Sequence, residues 1–311
     1  MPPAAQPVRR LKNLSRILPI IPESLAGEFE LEREYVEEPE IPIDEVRELI
    51  RPYQVTLERA HEGLSTFELG PPEVLGWGEI QPEIIGSRTL SRWFEYQARV
   101  AVDDDRMDDA VQALLDVVRL GANLSYGGDS TCALVGGACL TGTLDDIYGV
   151  IDRLQPRHLD VILKDLDDLR DYYESPEAYV TWDPYYYAHL DVLSRIEYYW
   201  DFKLGMRKRF VRAMKRYHAR FDLLRLEMAI RLYRLWNGRW PGSLDVLLPD
   251  ALSRLPADPF SGQGFIYRLA GDSYVFYGVG PDGNDDGGLR ATRRELRLGK
   301  RGDQFFDAEW Y

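Results

Sequence analysis

The chain has 311 residues, 45% of them hydrophobic and 29% charged, with a net charge of −14, two cysteines and four histidines. That composition suits a folded chain of one large domain or two ordinary ones. It excludes a disulfide framework, a zinc ribbon or an iron–sulfur cluster, and the negative balance argues against general nucleic-acid affinity. No apolar run approaches the roughly 18–20 residues that span a bilayer. Residues 1–21 carry Arg9, Arg10, Lys12 and Arg16, but Pro19 breaks their apolar part, so they do not read as a secretion signal.

Residues 1–42 are rich in Pro, Glu and Arg and lack sustained periodicity, which predicts an extended linker or wrap. The seven acidic residues of Glu28 to Glu40 need a cationic surface nearby to offset their repulsion. A helical pattern begins at Ile43 and runs to Phe67, with Pro52 as a kink or a start. Three prolines and four glycines make residues 68–87 a loop by composition. A helical pair follows, residues 91–102 and then 108–120, turning at Asp103-Asp104-Asp105. Asp108 and Asp109 favour the positive end of the second helix. Gly136, Gly137, Gly142 and Gly149 lie among apolar residues, where glycine implies close helix contact or breaks. Residues 159–173 form another amphipathic helix, ended by Pro176. The aromatic groups Tyr185-Tyr186-Tyr187 and Tyr198-Tyr199-Trp200 predict core packing at a helix junction.

Residues 204–236 carry the cleanest signal. Met206, Phe210, Met214, Tyr217, Phe221, Leu224, Met228, Leu232 and Leu235 cover 29 residues in eight steps, about 3.6 per turn. A second stripe (Leu223, Leu226, Ile230, Tyr233) predicts burial on two sides toward the C-terminal end. Gly238 and Pro241 stop the helix. Beyond it, residues 264–269 and 273–279 read as a β-hairpin turning at Ala270-Gly271-Asp272, and residues 304–310 as a further edge strand. The expected fold is α+β: a mostly α-helical N-terminal body over 43–202, then a long helix leading into a small antiparallel β-sheet over 203–311.

The stretch Tyr233-Arg234-Leu235-Trp236-Asn237-Gly238-Arg239-Trp240-Pro241 resembles the end of the long helix in type II secretion major pseudopilins. The similarity continues through Ser243-Leu244, Leu255-Pro256-Ala257-Asp258-Pro259-Phe260 and Tyr277-Gly278-Val279-Gly280-Pro281-Asp282-Gly283. It covers about 80 residues. Here the first part of the helix is basic and about 200 residues precede the helix, unlike an ordinary pilus subunit. The whole chain is more similar to large bacterial proteins that join a helical domain to a pseudopilin-like tail. The resemblance implies a place in the cell envelope, on the periplasmic side, with membrane attachment only through an anchor outside this chain; otherwise a cytoplasmic location is expected. Residues 105–120 also look like half of a tetratricopeptide hairpin, without a second copy at the 34-residue period.

Asp282-Gly283-Asn284-Asp285-Asp286-Gly287 matches the first half of an EF-hand loop, where alternate oxygens converge on a hard cation and glycine permits the turn. Asp282, Asn284 and Asp286 are the candidate ligands, with Gly288 offering its carbonyl and Asp285 orienting its neighbours. Arg293 stands where an EF-hand places its bidentate glutamate, so a full EF-hand is rejected. The pseudopilin resemblance implies a structural calcium ion on Asp282, Asp285 and Asp286. A second feature is cationic: residues 203–239 hold 12 basic and 2 acidic side chains, a net +10 that leaves −24 for the rest of the chain. This face is read as docking on the chain's own acids, such as Glu28 to Glu40 or Asp165 to Asp171, rather than on an anionic partner.

Nucleophile motifs are poorly supported. Gly128-Asp129-Ser130 leads into a helix and reads as an N-cap. His61-Glu62 lacks the second histidine of a zinc protease, and Gly136 to Gly142 lacks the lysine of a phosphate loop. Cys132 and Cys139, two helical turns apart, are too distant for a disulfide unless the glycines between them break the helix. The reading is a non-enzymatic structural or assembly protein with a possible calcium ion in its C-terminal module and a protein partner or self-assembly. The alternatives are a helical adaptor that binds a protein partner and, less favoured, a hydrolase around Ser130.

Overall fold

The computed structural model describes residues 9–11, 41–65, 69–72, 77–125, 130–170, 207–292, 295–296 and 301–306. The acidic run 28–40, the tyrosine clusters at 185–187 and 198–200, and the end of the expected last strand lie outside the described residues. The chain is α+β: mostly helical, with a small two-stranded antiparallel sheet near its C-terminus. Described residues up to Asp146 group into one compact unit, and those from Ile147 onward into a second.

In the first unit, strand β1 (Arg9–Leu11) pairs antiparallel with β2 (Leu69–Pro72). Helix α1 (Ile43–Ile50) has Asp44 and Glu45 in its first turn, where they complement the helix dipole. Val46 and Ile50, one turn apart, are buried with Val100. Pro52 sits in a single 3-10 turn, Arg51–Tyr53, that joins α1 to α2 (Gln54–Ser65); proline supports this bend because its ring fixes φ and removes an amide donor.

Helix α3 (Trp77–Asp103) begins inside the segment that composition marks as loop. Pro82 is its sixth residue, where proline forgoes the amide bond to the Gly78 carbonyl and crowds that carbonyl with its ring. The chain then turns at Asp104-Asp105, where Asp105 takes φ 58°. It returns as α4 (Met107–Ser125), whose buried residues include Val111, Leu114, Leu115, Val118 and Leu120. Helix α5 (Ser130–Gly149) follows. The backbones of α4 and α5 approach closely where Gly121 meets Gly136. A methyl group built at Gly136 would lie 2.3 Å from Ser125 Oγ and 2.5 Å from the Gly121 carbonyl oxygen. Gly149 has nothing within 4 Å of such a methyl, so it ends a helix rather than admitting a neighbour.

In the second unit, α6 (Pro156–Arg170) buries Leu159, Ile162, Leu163, Leu166 and Leu169. Helix α7 (Arg207–Asn237) is unbroken over its 31 residues. Every residue from His218 to Ile230 is buried, whereas Leu235 is 55% exposed and Trp236 48%. The all-round burial thus falls in the middle of the helix, not at the C-terminal end that the second stripe predicts, because charged residues join the apolar ones inside. Gly238 takes φ 69° and its amide bonds the Arg234 carbonyl at 2.7 Å, the left-handed exit that glycine allows.

The hairpin comprises β3 (Ile266–Ala270) and β4 (Ser273–Tyr277) in antiparallel register, Ile266 opposite Tyr277 and Ala270 opposite Ser273. Gly271 supplies the positive φ, 63°, that a two-residue hairpin turn needs. One side of the hairpin faces α7: the Tyr274 hydroxyl bonds the Glu227 carboxylate at 2.8 Å, and Trp240 Nε1 donates to the Asp272 carbonyl at 2.8 Å. The other side carries Ile266 and Tyr277, packed with Phe305. Gln304 exchanges two backbone bonds with Gly278, 2.9 and 2.8 Å, the described beginning of the expected edge strand.

Candidate functional site

The acidic loop follows β4 directly, and each candidate ligand has a distinct place. Asp282 Oδ1 accepts the Asn284 amide at 3.2 Å, while the Asn284 side-chain amide donates to the Asp282 carbonyl at 3.3 Å. Asp285 Oδ1 accepts the Gly287 amide at 2.8 Å and the Tyr277 hydroxyl at 3.0 Å, and its Oδ2 lies 3.3 Å from Arg268. The Gly287 amide, then the Tyr277 hydroxyl, hold the Asp285 carboxyl below the usual carboxylate range. Asp286 Oδ1 pairs with Arg301, and its Oδ2 accepts the Gly302 amide at 2.7 Å. Gly288 gives its amide to Asp303 at 2.8 Å.

Two aspartates outside the motif hold this arrangement in place. Asp303, fully buried, accepts the amides of Asp286, Gly288 and Leu289 at 2.8–3.1 Å. Asp258, 1% exposed, accepts the Phe260 and Val279 amides at 2.7 and 2.6 Å. Burial raises the Asp258 carboxyl, and these amides oppose the rise. Asp258 lies in a stretch singled out by sequence, but Asp303 carried no sequence signal.

A calcium ion takes roughly six to eight oxygens at about 2.3–2.6 Å. Here two of the three loop carboxylates already face guanidinium groups and backbone amides. Among the described residues no group of three histidine, cysteine, aspartate or glutamate side chains is placed to hold a metal. In this arrangement the donor set does not fit a calcium ion.

The middle of α7 holds a second polar constellation. Arg225, 1% exposed, bonds Asp222 at 2.8 Å and pairs also with Asp167, which accepts the Ser253 hydroxyl at 2.7 Å. Arg170 Nε reaches Asp222 at 3.2 Å. Burial outweighs pairing here, pushing Asp222 up to about 6 and Arg225 down to about 10. One turn on, Glu227 accepts Arg231 at 2.5 Å as well as Tyr274. Of the cationic face predicted from the sequence, Arg207, Lys208 and Arg209 are exposed, whereas Arg220 is buried with its guanidinium 5.0 Å from the Phe306 ring centre. Asp167, one of the acids named as a counter-surface, pairs with Arg225 of the same 203–239 stretch, beyond the dense basic run that ends at Arg220.

In the first unit, the Thr143 hydroxyl lies 3.2 Å from Glu95, with Ser91 at 3.4 Å and Cys139 a turn away on α5. Burial, then the charge of Asp146, pushes Glu95 up to about 7; burial, then Asp145, pushes Asp146 up to about 7. Burial raises the Cys139 thiol to about 12, which keeps it protonated and inert. His61 Nδ1 is 2.7 Å from the buried Asp116 carboxylate, a pairing that raises its pKa. Ser130 is the first residue of α5. Sequence reading missed Glu95 and Asp146 as a pair because 51 positions separate them.

No helix among the described residues is long and apolar enough to cross a membrane. No protein-family model, no curated protein and no solved structure matches the chain.

Proposed function

We propose that the protein is a non-enzymatic structural or assembly component of the cell envelope or secretion machinery, and that its C-terminal module is pseudopilin-like. One observation carries this reading: an unbroken helix ends at Asn237-Gly238 and a β-hairpin folds back on its C-terminal half, followed by the Gly280-Pro281-Asp282-Gly283 loop. The order of elements matches the order of motifs on which the resemblance rests. The carboxylates of the acidic loop and of the middle of α7 are held by amides, guanidiniums and a phenol, which suits a scaffold.

The experiment is photo-crosslinking in the protein's native cells, with the reactive group at exposed Trp236. Adducts with envelope or secretion components, or with a second copy of the chain, are expected. Adducts confined to cytosolic proteins would replace the reading with that of a soluble adaptor. Ester hydrolysis by the purified chain that disappears in Ser130→Ala would overturn its non-enzymatic part.

A further inference from the structure

We propose that Arg301 and Arg268 occupy the electrostatic place of a metal ion at the Asp282–Gly288 loop, so that the loop closes through a guanidinium clasp and folds without calcium. Aspartates at 282, 285 and 286 repel one another and need a positive charge to stay together. The half EF-hand spacing admits an ion as that charge, but the chain supplies its own.

Arg301 pairs with Asp286, whose side chain is only 8% exposed, and the next residue donates its amide to the same carboxylate at 2.7 Å. The field at Arg301 comes from Asp286, Asp282 and Asp303 together, which places one cation among three carboxylates. Arg268, reaching across from β3, lies 3.3 Å from Asp285.

Steric fit points the same way, independently of charge. A methyl group at Gly280 would fall 1.8 Å from the Gly302 carbonyl oxygen, and one at Gly302 would fall 2.5 Å from Ala291 Cβ. Gly302 also takes φ 128°, a conformation open to glycine. The segment carrying Arg301 is therefore seated against the loop at backbone contact, and Asp303, two residues on, fastens it by accepting the amides of Asp286, Gly288 and Leu289. A calcium ion would have to displace Arg301 from Asp286 to gain that ligand. The proposal rests on this loop alone and stands or falls apart from any role in assembly.

The test is thermal unfolding of the full chain, wild type and Arg301→Gln, in EGTA and in millimolar calcium chloride. Wild type should melt at the same temperature in both. Arg301→Gln should melt about 2–4 °C lower in EGTA, and calcium should return part of that loss, because the freed carboxylates then have a vacancy for a cation. Arg301→Lys, which keeps the charge, should lose less than Arg301→Gln. A saturable rise of the wild-type melting temperature with calcium would overturn the proposal. So would an Arg301→Gln variant as stable as wild type, or one that is weakened but gains nothing from calcium. Should that variant not fold, the wild-type titration decides by itself.

Discussion

Replacing Glu95 with glutamine should make the protein more stable at pH 8 and leave it nearly unchanged at pH 4. In the folded chain burial and Asp146 push the Glu95 carboxyl from its ordinary 4.5 up to about 7. Below pH 4.5 the group is protonated whether the chain is folded or not, and nothing is lost. As pH rises through the window from 4.5 to 7 the unfolded chain releases its proton first, so stability falls; above 7 both forms are ionised and the loss is complete. At about 1.4 kcal/mol per unit of pKa, the loss is about 3 kcal/mol. Glutamine keeps the shape and an acceptor for the Thr143 hydroxyl but carries no charge at any pH. The assay is urea unfolding followed by far-UV circular dichroism at pH 4, 6 and 8, comparing the variant with wild type at each. The differences should grow in the variant's favour across that series. The His61–Asp116 pair also loses stability as pH rises, but it is present in both proteins and drops out of the comparison to first order. Asp146, whose charge helps raise Glu95, does not drop out, and its relief from that charge is part of the variant's gain. A difference that stays constant with pH, or a variant weaker than wild type at pH 8, would refute the burial argument.

Gly136→Ala should destabilise the protein by about 1–3 kcal/mol, since the new methyl meets backbone that cannot yield. Gly149→Ala should be neutral or stabilising by up to about 1 kcal/mol; denaturant midpoints separate the two. Arg225→Met should cost about 3–5 kcal/mol by leaving Asp222 buried beside Arg170 alone, and adding Asp222→Leu should recover part of it in a double-mutant cycle. Asp303→Asn keeps the shape but turns a charged acceptor of three amides into a neutral one. It should cost about 1.5–3 kcal/mol, with amide exchange rising first at Gly288 and Leu289. Asp116→Asn should lower the His61 pKa toward its ordinary value, read from the ring-proton titration by NMR.

What could be read from the sequence follows from how far each signal reaches. The long helix is written in residues three or four apart, and the hairpin in a turn flanked by short apolar runs, so both were visible locally. The start of α3 at Trp77 was hidden because Pro82 and the three glycines from Gly76 to Gly86 weigh toward loop in any local reading. The buried charges of α7 were hidden for the opposite reason. Arg225 lies in the cationic stretch expected to dock on the chain's own acids, but local spacing does not say that it is buried or that Asp167, 58 residues away, is its partner, nor that Glu227 meets Tyr274, 47 residues away. For the acidic loop, residue spacing recorded which groups could converge, but not that Arg301 and Asp303 return to meet them.

The four charges that encircle the middle of α7 give that helix a keyed setting. Leucines and methionines are interchangeable along an apolar groove, so a rod bearing only them could rotate or advance by a turn with little loss. Arg220, Asp222, Arg225 and Glu227 cannot, because each fits one lock: an aromatic ring, a guanidinium pair, a carboxylate pair and a phenol. A saturation scan of this segment should therefore tolerate swaps among aliphatic residues and reject neutral replacements at these four positions, the reverse of the pattern on a solvated helix.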